Sequence, residues 1–211
     1  MENILFSIYA LGGIALIVGM IIAFMPQQNT PSTEAAEAPP KEPANVHKQV
    51  ARVKCNGTSK AARTKFTYEG INDCFAASKL IGGAKLCPYA CIGLGTCASV
   101  CESRAISLKD GIAYVNPKNC TACGKCAETC PKKVIGMFNA VRSPWVKCSS
   151  RNQSVVVQKI CDTGCINCRN CETACQFGAI TIEKDLARID QTKCRNCAAC
   201  ISKCSRRTIA I

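Results

Sequence analysis

The chain has 211 residues, of which 20 are Cys and only 5% are aromatic, so it lacks material for a large apolar core and needs cross-links to replace one. Lys and Arg number 27 against 14 Asp and Glu, a formal charge of +13. No nucleic-acid motif or aromatic–basic stripe accompanies that excess, and no G-x-G-x-x-G or G-x4-G-K-[ST] loop occurs, which argues against nucleic acid as a partner and against nucleotide chemistry on this chain.

Residues 1–25 predict a transmembrane anchor. Ile4 to Met25 form 22 uncharged positions, the length of a membrane-crossing helix. Ala10, Gly12, Gly13, Ala15 and Gly19 would let a second helix approach closely. A cleaved signal peptide fits less well, because no Lys or Arg precedes the run and no A-x-A site follows it. The basic flank (Lys41, His47, Lys48) places the bulk of the chain on the cytoplasmic side, where thiols stay reduced and 20 Cys point to metal rather than disulfides. Residues 26–52 read as a Pro/Ala/Glu-rich flexible linker without Cys.

Residues 53–86 read as an N-terminal extension of a first module at 87–145, and a second module spans 146–211. Four Cys runs fill them. The second (Cys120, Cys123, Cys126, Cys130), third (Cys165, Cys168, Cys171, Cys175) and fourth (Cys194, Cys197, Cys200, Cys204) have the spacing C-x2-C-x2-C-x3-C of bacterial ferredoxins. Three thiolates two residues apart wrap three corners of a [4Fe–4S] cube, and the fourth Cys ligates the neighbouring cluster, so runs come in pairs. Structural zinc instead takes separated C-x2-C pairs or Cys with His, and this chain has one His. After each run come a few helical residues and a β-branched strand. Asp110-Gly111 and the ITIEKDLARI stretch from Ile180 each signal a strand–turn–strand. The predicted fold is thus α+β: a single N-terminal transmembrane helix, a flexible linker and two tandem bacterial-type 2[4Fe–4S] ferredoxin modules. With so little apolar area, the modules depend on their clusters for structure.

The modules are copies of one another. Val53-Lys54-Cys55 matches Val146-Lys147-Cys148, and the run from Cys87 matches that from Cys161. This register puts Leu94 where the third run has Cys168, and Cys87 becomes the expected substitute ligand. Four clusters are expected: the first on Cys87, Cys91, Cys97 and Cys130; the second on Cys120, Cys123, Cys126 and Cys101; the third on Cys165, Cys168, Cys171 and Cys204; the fourth on Cys194, Cys197, Cys200 and Cys175. Cys55, Cys74, Cys148 and Cys161 stay unassigned, either as small buried apolar side chains or as a further metal site or redox pair. Each cluster with its thiolates carries roughly −2, so four bring the charge balance to about +5. Lys125, Lys132, Lys133, Arg169, Arg195, Lys203, Arg206 and Arg207 flank the runs, either to steer an acidic donor or as solvated charges offsetting the clusters.

The stretches VKCNG, YEGINDC and IGGAKLCPYACIGLGTCASVC, followed by CTACGKCAETCP, resemble the RnfB family, the B-type subunits of the Rnf ion-translocating ferredoxin:NAD oxidoreductase complex. The resemblance covers the apolar N-terminus and nearly all of Val53 to the C-terminus. It implies a non-catalytic electron-relay subunit at the cell inner membrane, with its cluster domains on the cytoplasmic side. Such a protein takes electrons from reduced ferredoxin or a flavodoxin-like donor and passes them to other subunits, which reduce NAD and pump Na⁺ or H⁺; some members run in reverse. The family pattern also has a four-Cys C-G-x-C-G domain between anchor and VKC, and here that interval holds no Cys. The competing readings are a membrane-tethered polyferredoxin serving a different reductase and a Cys-rich structural or zinc protein.

Overall fold

The computed structural model describes residues 49–139 and 143–211, which lie in one compact unit, Ala44–Ile211. In chain order it contains β1 (Gln49–Val53), α1 (Cys74–Ile81), α2 (Thr96–Ser99), β2 (Ile106–Lys109), β3 (Ile112–Val115), α3 (Lys125–Thr129), β4 (Ile135–Asn139), β5 (Trp145–Val146), α4 (Ser154–Ile160), α5 (Asn170–Thr173), β6 (Ile180–Glu183), β7 (Leu186–Ile189), α6 (Ala199–Lys203) and β8 (Ile209–Ala210). The strands form four antiparallel pairs: β1 with β4, β2 with β3, β5 with β8, and β6 with β7. Each module therefore closes its first strand on its last and carries a hairpin between them.

The expected membrane helix at residues 4–25 lies outside the described residues. Among the described residues no helix is long and apolar enough to cross a membrane, and the longest, α1, has 8 residues. The predicted architecture is corrected accordingly: what the structure supports is the α+β body, not a spanning helix followed by that body. The boundary of the linker also moves. Gln49 to Arg52, read as its last residues, are strand β1, in register with β4 from Gln49↔Asn139 to Val53↔Ile135. Val50 and Ala51 are buried against that partner, which local composition could not reveal.

Both hairpins turn on two residues. Asp110 and Gly111 have φ of 48° and 74°, and Lys184 and Asp185 have 49° and 61°. Two successive left-handed residues match the twist of the strands they join. The duplication recurs in the hydrogen bonds: Lys54 N–H donates to Val134 O at 2.6 Å and Lys147 N–H to Thr208 O at 2.7 Å, while Asn116 N–H to Ala105 O and Asp190 N–H to Ala179 O are both 2.8 Å.

Cysteines are a large part of the core of each module. Around Val50, Val53, Val134 and Ile135 pack Cys91, Cys97, Cys120, Cys126 and Cys130; in the second module Ile180, Ala187 and Ile209 pack with Cys171 and Cys200. The buried Lys85 ties the first run to the hairpin, donating from Nζ to Cys91 O at 2.9 Å and Gly111 O at 2.8 Å. Gly93, at φ 88°, lies against the same turn, and a Cβ there would collide with the Gly111 carbonyl. Gly124 has φ 80° but open space around it. Gly93→Ala is therefore expected to cost at least ~2 kcal/mol and Gly124→Ala ~1 kcal/mol, measured as shifts in the denaturant midpoint of the loaded protein.

Candidate metal centres

Each three-Cys loop is wound by left-handed residues on either side of its middle Cys. Ala122 and Gly124 flank Cys123 with φ of 63° and 80°; Asn167 and Arg169 flank Cys168 with 55° and 61°; Asn196 and Ala198 flank Cys197 with 59° and 61°. These inversions roll the chain around a common centre, so that three sulfurs line one cavity. Where the middle Cys is lost, the winding persists: Gly93 and Gly95 flank Leu94, both at φ 88°.

Three cavities gather the loop sulfurs with one Cys from the partner run. Cys101 joins Cys120, Cys123 and Cys126 around about 320 Å³ of atom-free space, counted out to the open mouth. Cys204 joins Cys165, Cys168 and Cys171 around about 360 Å³, and Cys175 joins Cys194, Cys197 and Cys200 around about 310 Å³. The fourth Cys follows a short helix, and the amide four residues on caps its sulfur: Ala105 N–H to Cys101 Sγ at 3.3 Å, Ala179 N–H to Cys175 Sγ at 3.4 Å and Thr208 N–H to Cys204 Sγ at 3.3 Å. Strand β1 adds an amide from outside, Ala51 N–H to Cys120 Sγ at 3.4 Å.

The cavity of the first run differs from the sequence expectation. Its four sulfurs are Cys91, Cys97, Cys130 and Cys74, around about 380 Å³; Cys87 is not among them. Cys74 opens α1, whose start is fixed by Asp73. That carboxylate accepts from Ala76 N–H at 2.7 Å and from Thr96 Oγ1 at 3.1 Å, while Cys74 N–H donates to Thr96 Oγ1 at 2.7 Å. The pair Asp73–Thr96 thus pins the helix N-terminus to the residue before Cys97. At the other end Gly82, at φ 71°, closes α1. An N-cap Asp, a run of helix formers and Gly-Gly were the signals in the sequence for this helix. Cys87 instead lies with Cys55, Cys148 and Cys161 around a separate cavity.

The donor chemistry fits iron–sulfur cubes. Four thiols enclose each space, within largely apolar walls. Among the described residues no three His, Cys, Asp or Glu side chains converge closely enough for one metal ion, and structural zinc would want such a set. Burial pushes the Cys97 thiol up to about 12, helped by Cys91, Cys74 and Cys130, and pushes Cys171 and Cys200 up to about 11. Such thiols hold their protons at neutral pH, and only a cation in the cavity would hold them as thiolates. At Cys101 burial acts in the same direction but loses to hydrogen bonds from the Ser103 hydroxyl and the Ala105, Ile106 and Ser103 amides, which hold that thiol below its ordinary range.

The first cavity gives a direct check. Cys74→Ser removes one of its four sulfurs and is expected to convert the cube there to a three-iron form or empty it. Iron analysis and a new EPR signal in the oxidised protein would report this. An unchanged iron content and spectrum would remove Cys74 from the ligand set.

A family model described as a 4Fe-4S dicluster domain matches residues 90–134. The chain is 38% identical over 172 residues to the B-type subunit of the ion-translocating oxidoreductase complex of Methanosarcina acetivorans, covering 81% of this chain and 65% of that protein. It is 41% identical over 170 residues to the B-type subunit of the proton-translocating ferredoxin:NAD(+) oxidoreductase complex of Clostridium ljungdahlii, 79% of this chain and 58% of the relative. It is 40% identical over 176 residues to the B-type subunit of the Na(+)-translocating ferredoxin:NAD(+) oxidoreductase complex of Acetobacterium woodii, 83% of this chain and 53% of the relative. The chain thus spans between 53% and 65% of the length of these relatives. Together with the cysteine cavities, these matches mean that the chain belongs to the RnfB family, the B-type subunits of ion-translocating ferredoxin:NAD oxidoreductase complexes.

Proposed function

We propose that the chain is a non-catalytic electron relay in such a complex, taking electrons from a reduced ferredoxin or flavodoxin-like donor and passing them to other subunits, with [4Fe–4S] clusters held by the four cysteine sets above. The observation that carries this reading is the enclosure of four similar cavities by four thiols each. Bound clusters would supply one-electron exchange with no bond made to a substrate. The chain's own part is to exclude water, aim amides at sulfur and expose selected corners.

Those corners are unequal. Cys123, Cys168 and Cys197, the middle Cys of the three complete runs, are exposed, whereas Cys74, Cys91, Cys97 and Cys130 are all buried. Partners would therefore approach at the complete runs. Basic residues rim them. Lys125 pairs with Glu102, and Arg169 with Glu172 at 2.9 Å, while Lys133, Arg195, Lys203 and Arg207 are exposed. Surface pairs of this kind add little stability, so the rim favours steering of an acidic donor. The relatives' names, which pair ferredoxin with ion translocation, support a place at the inner membrane, and the free thiols support the cytoplasmic side.

Mixing the loaded chain anaerobically with reduced ferredoxin should bleach its visible absorption; no transfer at any donor concentration would end the relay reading. Association is expected to slow about tenfold between roughly 50 and 300 mM salt, measured by rapid mixing. A flat response would leave the basic rim as solvated charge.

A further inference from the structure

We propose that Cys55, Cys87, Cys148 and Cys161 hold a fifth [4Fe–4S] cluster, at the junction of the two ferredoxin modules. The inference rests on reading the other four cavities as cluster sites, because it extends the same criteria to a fifth. These four sulfurs line one cavity with about 390 Å³ of atom-free space, which is the size of the others. All four cysteines are free.

The surroundings of the sulfurs are those of thiolates. Cys91 N–H reaches Cys55 Sγ at 3.4 Å, and Ser150 N–H reaches Cys148 Sγ at 3.5 Å. The Cys165 amide also bonds Cys148, and the Tyr89 amide and Ser150 hydroxyl bond Cys87. The Thr163 hydroxyl stands 3.7 Å from Cys161 Sγ. A cysteine that merely fills apolar space has no need of such donors, whereas a cluster-bound sulfur is tuned by them. Cations are near to offset the charge. Lys147 lines the cavity, Lys132 lies within electrostatic reach of Cys87, and the Arg206 guanidinium donates to Cys161 O.

The site is also symmetric in a way chance would not arrange. Cys55 and Cys148 occupy the same place in the repeat, as do Cys87 and Cys161, so each module contributes the same two thiols. One of the amides on each of Cys55 and Cys148 comes from Cys91 and Cys165 respectively, which are equivalent members of the first and third cysteine sets. Hydrogen bonds thus run from a cluster loop of each module directly onto this cavity. The two modules meet around it: Thr163 Oγ1 donates to Asn56 O at 2.8 Å, Ser149 Oγ to Lys54 O at 3.1 Å, and Arg63 N–H to Ile160 O at 2.9 Å. The transfer served there is one electron in from one module and the same electron out to the other, with no bond made and no proton moved.

The test is the iron and acid-labile sulfide content of the full chain, produced anaerobically with cluster assembly, alongside Cys161→Ser and Cys148→Ser. The inference expects about 20 iron and 20 sulfide per chain, falling in either variant to about 16 of each if the site empties or to about 19 iron with a new EPR signal if a three-iron form remains, with the Mössbauer spectrum of the other clusters unchanged. About 16 of each in the unmodified chain would overturn the fifth site while leaving the proposed function intact, and so would about 16 iron with one zinc. Absence of sulfide would overturn both readings. The count on the unmodified chain decides even where a variant fails to fold.

Discussion

A loop with three cysteines two residues apart reaches three corners of a four-iron cube and cannot reach the fourth. Where the fourth thiol comes from shapes the rest of the structure. In the second, third and fourth sites it comes from the partner run, delivered by Cys101, Cys204 and Cys175 after a short helix. This exchange makes two runs inseparable and gives a module its internal pairing. The first run, with Leu94 in its middle place, needs a thiol from further away, and a whole helix is recruited to bring Cys74 in. The Asp73–Thr96 contact, which on its own looks like ordinary capping, is what sets that thiol in place.

The same demand explains the composition of the interior. Strands of two to five residues and helices of four to eight cannot bury much apolar side chain, and cysteines make up a large share of the residues that do pack with Val50, Val134 and Ile180. Burial pushes several of these thiols up, so a bound cation would be what holds them as thiolates, and its binding would add to the stability of such a fold. The amides turned onto sulfur by Ala105, Ala179 and Thr208, after three of the four runs, set the electrostatics of the cysteine they reach.

Exposure then divides the sites by role. The complete runs carry one cysteine each to the surface, where basic residues gather, while the first site is enclosed. The junction cavity, with three of its four cysteines buried and Cys87 partly so, lies where loops of both modules converge, and the Cys91 and Cys165 amides of the flanking cavities reach its sulfurs. Gene duplication followed by close packing would create such a site from two thiols per copy without any new motif.

Spacing determined what is local. C-x2-C-x2-C fixes the winding of each loop, Asp110-Gly111 fixes a two-residue turn, and the VKC repeat reveals two copies, because each depends on neighbours along the chain. The family resemblance was likewise legible, since its motifs are contiguous. Tertiary structure decided what is not local: that β1 starts at Gln49 because β4 is there to pair with it, and that Cys74 rather than Cys87 closes the first cavity. It alone decided that Cys55, Cys87, Cys148 and Cys161 share one space. The physical reason is the same in each case. A loop's shape is set by the dihedral angles of adjacent residues, whereas the identity of a distant partner depends on how separate elements pack, and the sequence carries no spacing for that.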